Sequence, residues 1–68
     1  MNDVQCKQQE SIAYNSCVDS YYHSKNRNDI YEYWLYLFEA GRYCEAVGVQ
    51  KALELIDIII DLDINGKT

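Results

Sequence analysis

Ala46-Val47-Gly48-Val49-Gln50-Lys51-Ala52-Leu53-Glu54-Leu55-Ile56-Asp57-Ile58-Ile59-Ile60-Asp61-Leu62-Asp63-Ile64 is the stretch that decides the architecture of this chain. At 3.6 residues per turn, its polar residues Gln50, Glu54, Asp57 and Asp61 collapse onto one narrow stripe. Nearly everything else around the helix is aliphatic, and a helix that apolar must be covered on more than one side. The pattern predicts a long third helix over about residues 43–63. Gly48 costs that helix roughly 1 kcal/mol relative to alanine, a loss that close approach of another helix would offset. Ile58-Ile59-Ile60 offers a competing reading as the start of a strand over 58–64. No second segment of that character is available to pair with it.

Upstream of this stretch, Gly41 supplies a left-handed cap for the end of a preceding helix. That helix is short and aromatic: Ile30-Tyr31-Glu32-Tyr33-Trp34-Leu35-Tyr36-Leu37-Phe38. Asp29 followed three residues later by Glu32 forms a capping box, which predicts a helix over about 29–40. Aromatics favour strands, but the two caps and the polar stripe Asp29, Glu32, Tyr36 and Glu39 decide for helix. Ser24-Lys25-Asn26-Arg27-Asn28 reads as a polar loop. Before it, Asn2 and Gln5 resemble a further capping box, with Asp3 set to favour the helix dipole. The first helix is expected over about 3–23. Its apolar stripe is clear from Ala13 onward and weak before it, so its first turns are expected to fray. The reading is therefore all-α, with a long helix, a short aromatic helix and a long apolar helix in a single domain.

Sixty-eight residues make one domain at most. A chain this short buries only about 60% of the surface its unfolded form exposes, and small domains usually add a disulfide, a metal or a partner. Yet 49% of the residues are hydrophobic and 13% aromatic, which is too apolar for disorder. The net charge of −5, from 11 acidic and 6 basic residues, argues against direct nucleic-acid binding, which rests on Lys and Arg, and against anionic membranes. It suits a basic partner. The start of the chain has neither a basic cluster nor an apolar run, so no secretory signal is read there. Glu54, Asp57 and Asp61 interrupt the apolar stretch and exclude a bilayer span. A cytoplasmic protein is the default. Cys6, Cys17 and Cys44 fit that default, because an odd count argues against an oxidised framework. Cys6 and Cys17 on one helix would stand roughly 16 Å apart, too far to bridge.

The run Glu39-Ala40-Gly41-Arg42-Tyr43-Cys44-Glu45-Ala46-Val47, followed by Lys51-Ala52-Leu53-Glu54-Leu55, resembles the turn and second helix of a tetratricopeptide repeat. The Lys-Ala-Leu segment arrives one residue early, which turns its packing face by about 100°. Trp34 is out of register with that family's tryptophan, and no second repeat follows, although such units need several copies to bury a core. The resemblance implies a helix hairpin and no family membership.

Residues that could carry chemistry are sparse. His23 follows Asp19 by four residues and could pair with it, but no serine or cysteine is spaced to act as its nucleophile. A histidine near a helix end is also favoured there by the dipole. The three cysteines and His23 lack the tight pairs typical of structural zinc, and no glycine-rich phosphate loop is present. No catalytic residue, metal or cofactor is assigned.

Two of the three helices are apolar over most of their circumference. The sequence therefore predicts a homodimer through the second and third helices, with Trp34, Leu37, Phe38, Leu53, Ile56, Ile59 and Ile60 as core or interface anchors. Glu54, Asp57 and Asp61 form an acidic stripe that either docks a basic partner or keeps an apolar helix soluble, and Asp57 and Asp61 repel each other at i,i+4 with no Lys or Arg spaced along the helix to relieve them. Tyr21, Tyr22, Tyr33 and Tyr36 are expected as a partly exposed aromatic patch, since tyrosine buries area while its hydroxyl stays wet. The function expected is a small non-enzymatic regulator, adaptor or inhibitor that binds another protein, of a kind that phages and mobile elements encode. The alternatives are a structural subunit of a larger assembly, or an acidic decoy that blocks a nucleic-acid-binding surface of a host protein.

Overall fold

The computed structural model describes residues 3–66 as three helices: α1 (Asp3–Ser24), α2 (Arg27–Glu39) and α3 (Tyr43–Asn65). Residues 58–64 continue α3, so the strand alternative is excluded. The Asn2 capping box lies outside the described residues. Helix α3 is the centre of the structure. Helix α1 packs along one flank of it and α2 along the other, and α1 and α2 scarcely meet. Cys6 meets Cys44, and Glu10 meets Gly48 and Lys51. Helices α1 and α3 therefore run parallel with a constant offset. Arg27 reaches Asp57 while Phe38 packs on Tyr43, so α2 runs antiparallel to α3. The result is elongated, 48 × 21 × 16 Å across the Cα atoms.

The connections follow from local chemistry. Lys25 closes α1 in a left-handed conformation, φ 57°, with its N–H donating to the Tyr21 carbonyl at 2.7 Å. Its ammonium lies over the rings of Tyr21 and Tyr22. Helix α2 then begins two residues earlier than its sequence suggests. Asn26, not Asp29, is the N-cap, and its side-chain oxygen accepts from the Asn28 N–H at 3.1 Å. Asp29 sits inside the first turn, where its charge favours the dipole. The loop thus shrinks to Lys25-Asn26. At the other end Gly41 adopts φ 77°. The Gly41 N–H donates to Phe38 and the Arg42 N–H to Leu37, the double bond of a Schellman motif.

The core is one cluster: Ala13, Cys17 and Tyr21 from α1, Ile30 and Leu37 from α2, and Ala46, Val49, Ala52, Leu53 and Ile56 from α3. Helices α1 and α3 meet through small side chains, including Ala13, Cys17 and Ala52, which permits close packing. The approach is tightest at Gly48, where a Cβ would run into the Glu10 carbonyl. Gly48 is therefore kept by a neighbouring backbone, the condition under which its low helix propensity is tolerated.

Two expectations about α1 need correction. Its first turns are helical from Asp3 and, poor in apolar contacts, are fastened to α3 by other means. Cys6 forms a disulfide with Cys44, and Lys51 donates to Glu10 at 2.8 Å. The first of these also overturns the expectation of unpaired cysteines. The sequence argument excluded only the Cys6–Cys17 pairing, and the bridge forms instead across the α1–α3 contact between cysteines 38 positions apart. Cys17 alone is free, and it is buried. Burial pushes its thiol pKa up.

Candidate interaction surface

Several large apolar side chains remain exposed on this elongated molecule. Its accessible area is 4983 Å², against about 4,450 Å² expected for a compact monomer of its 8.0 kDa mass. Part of the exposed surface is a continuous aromatic strip. Tyr31 stacks on Trp34 at 5.9 Å between ring centroids, Trp34 meets Phe38 at 5.5 Å, and Phe38 meets the edge of Tyr43 at 5.6 Å. The first three rings recur at i, i+3 and i+7 on α2, which places them on one face, and the Gly41 turn brings the fourth alongside. Phe38 is 51% exposed and Tyr43 59%. Trp34 is half-buried and roots the strip in the core.

Next to this strip lies the acidic stripe of α3. At about 100° per residue, Asp57, Asp61 and Glu54 fall between the flank that holds α2 and an exposed aliphatic seam of Ile58 and Leu62, with the half-buried Leu55 at its inner edge. Asp57 is not unrelieved, as its sequence neighbours imply. Arg27 donates to it from Nε at 2.5 Å and from Nη2 at 3.3 Å. This pair holds the Arg27 pKa above its ordinary value, chiefly through the hydrogen bond. The same guanidinium lies 6.0 Å from the centroid of Tyr31. Glu54 and Asp61 are exposed and take part in none of the ion pairs within 4 Å among the described residues.

The residues expected as dimer anchors divide. Leu37, Leu53 and Ile56 are buried inside the single chain, so they are core and are not free to meet a second copy. Trp34, Ile59 and Ile60 are half-buried against that core, and Phe38 is exposed. Among the tyrosines, Tyr22, Tyr33 and Tyr36 are exposed, the last two stacked 6.5 Å apart. Tyr21 is not: it packs in the core at 7% exposure, because it continues the Ala13–Cys17 stripe that faces α3. The sequence reading passed over Tyr31, Tyr43 and Arg27. The first could have been found from its helical spacing to Trp34 and Phe38. The other two are placed by the turn and by the interhelical register.

Elsewhere, His23 and Asp19 stand 3.8 Å apart and both are largely exposed. Between α1 and α2 an open groove holds two shallow cavities of about 260 and 250 Å³, with Ser16 and Tyr33 lining both. Among the described residues no group of His, Cys, Asp and Glu could hold a metal ion, and no helix is long and apolar enough to cross a membrane. No protein-family model, curated protein or solved structure matches this chain.

Proposed function

We propose that this protein is a small non-enzymatic interaction module that acts by binding another protein. The observation that carries the reading is the ladder Tyr31–Trp34–Phe38–Tyr43, exposed at Tyr31, Phe38 and Tyr43 and rooted in the core by the half-buried Trp34. Aromatic rings in a continuous strip are the residues that anchor protein interfaces, and folding of this chain leaves three of these four exposed. In a homodimer, the second copy would meet the aliphatic seam of Leu55, Ile58 and Leu62 on α3, since most of the originally favoured α3 anchors serve the core. The Cys6–Cys44 bridge favours an oxidising compartment over the cytoplasm.

Two measurements test this. Capture from an extract of the encoding organism is compared between the native chain and a Tyr31→Ala/Phe38→Ala variant that keeps its far-ultraviolet dichroism. The reading requires that the variant lose proteins the native chain retains, and identical retention would refute it. Sedimentation equilibrium addresses the dimer, which is excluded if the folded chain is monomeric at micromolar concentration.

A further inference from the structure

The interaction surface contains a worked example of what it binds. Arg27 belongs to the chain itself, yet its guanidinium is held as a ligand would be: forked onto the Asp57 carboxylate and set over the face of Tyr31. A carboxylate in the plane of the guanidinium and an aromatic ring against its face together satisfy both faces of arginine chemistry. The strip continues beyond that pair. In the antiparallel register of α2 on α3, the turn that follows Tyr31 presents Trp34 and Phe38, and the turn of α3 that precedes Asp57 presents Glu54 and Gln50. Here Phe38 is exposed and Trp34 half-buried, and among the described residues the Glu54 carboxylate has no cation within 4 Å. Two of the six basic residues, Arg27 and Arg42, are engaged with acidic partners of their own, and Lys51, one turn before Glu54, is hydrogen-bonded to Glu10 and reaches Glu54 only through an attraction beyond ion-pair distance.

We propose that the Trp34–Phe38 strip and the Glu54 edge dock a basic, arginine-bearing segment of another protein, whose guanidinium groups repeat along the surface what Arg27 does at its end. This rests on the interaction reading above and names its partner's chemistry. The net charge of −5 would steer such a segment toward the molecule, and the rings would prefer arginine to lysine. A lysine ammonium is compact and strongly hydrated, while guanidinium stacks on aromatic faces. The preference should be about two- to fivefold, the equivalent of an exposed cation–π contact.

The probes are three short peptides of alternating serine with arginine, lysine or glutamate, titrated into the full-length oxidised chain. Emission of Trp34, the single tryptophan, and titration calorimetry report binding. The arginine peptide should bind saturably and loosen as salt rises. The lysine peptide should bind about two- to fivefold more weakly, and the glutamate peptide not at all. Glu54→Gln alters an exposed side chain and should keep the melting temperature, Phe38→Ala gives up ring contacts with Trp34 and Tyr43 and is compared well below its melt, and each should weaken the arginine peptide by at least twofold. Arg27→Ala vacates the internal copy of the site and should strengthen binding or raise its stoichiometry. Absence of saturable binding, equal binding of the lysine peptide, or indifference to both Phe38→Ala and Glu54→Gln would overturn the proposal. If the peptides fail while Tyr31→Ala/Phe38→Ala still loses captured proteins, the interaction reading stands and the arginine assignment falls. If both fail, both are lost.

Discussion

Gly48→Ala is the substitution whose sign is set by packing against propensity. In an isolated helix, alanine would replace glycine with a gain of about 1 kcal/mol. In this fold the added Cβ would overlap the Glu10 carbonyl oxygen and lie 2.9 Å from its carbon and 3.1 Å from the Glu10 Cα. Ordinary contact begins at 3.4 Å, so the carbon alone demands a retreat of 0.5 Å, and the oxygen demands more. The obstacle is backbone, which cannot swing aside as a side chain can. Nor can α1 easily back away, because the Cys6–Cys44 bridge ties the helices one turn before this point and the Glu10–Lys51 pair ties them on the other side. Overpacking of this kind costs about 1–3 kcal/mol, toward the upper end where backbone must move. Net of propensity, Gly48→Ala should destabilise by about 1–2 kcal/mol. Thermal melts followed by far-ultraviolet dichroism should show a drop of roughly 5–15 °C. In a Cys6→Ser/Cys44→Ser background the drop should be smaller, because the helices are then free to part. A rise in melting temperature on Gly48→Ala would refute the close approach, and with it the α1–α3 register.

Further outcomes follow from the same contacts. Reduction, or Cys6→Ser/Cys44→Ser, releases the span of 38 residues and should cost about 3–4 kcal/mol by the chain-entropy relation; an unchanged melt with and without dithiothreitol would show that the bridge contributes nothing. Asn26→Ala should cost about 1 kcal/mol as loss of the α2 N-cap, while Asp29→Ala should cost less; urea titrations giving the reverse order would return the cap to Asp29. The Glu10 carboxyl is held below its ordinary pKa of 4.5, chiefly by the Lys51 hydrogen bond. A depressed carboxylate contributes stability above its unfolded pKa and loses it as pH falls through the folded value. Melting temperature should therefore decline below about pH 4.5, and Glu10→Gln should remove part of that decline; an unaltered pH profile in the variant would contradict the pair. Leu37→Ala, at a fully buried position, should cost about 2–5 kcal/mol, a loss read by the same urea titration and contradicted by a change below 1 kcal/mol.

What the sequence determined by itself was local. The three helices, the Gly41 cap and the covered character of α3 all follow from residues within a few turns of one another, because capping and amphipathic periodicity act over that range. Even the need for a close neighbour at Gly48 was legible, as a defect in an otherwise strong helix. The identity of that neighbour was not. Glu10 at Gly48, Cys6 at Cys44 and Arg27 at Asp57 are each set by how whole helices lie against one another, and no spacing in the chain encodes that offset. The same limit explains the reassigned residues. Periodicity shows that Leu37, Leu53, Ile56 and Tyr21 must be covered, but only the tertiary arrangement decides that the chain covers them itself. What it leaves uncovered, the aromatic strip beside the acidic stripe, is decided in the same way. Helix α2 lies on one flank of α3, α1 lies on the other, and neither reaches across the face between them.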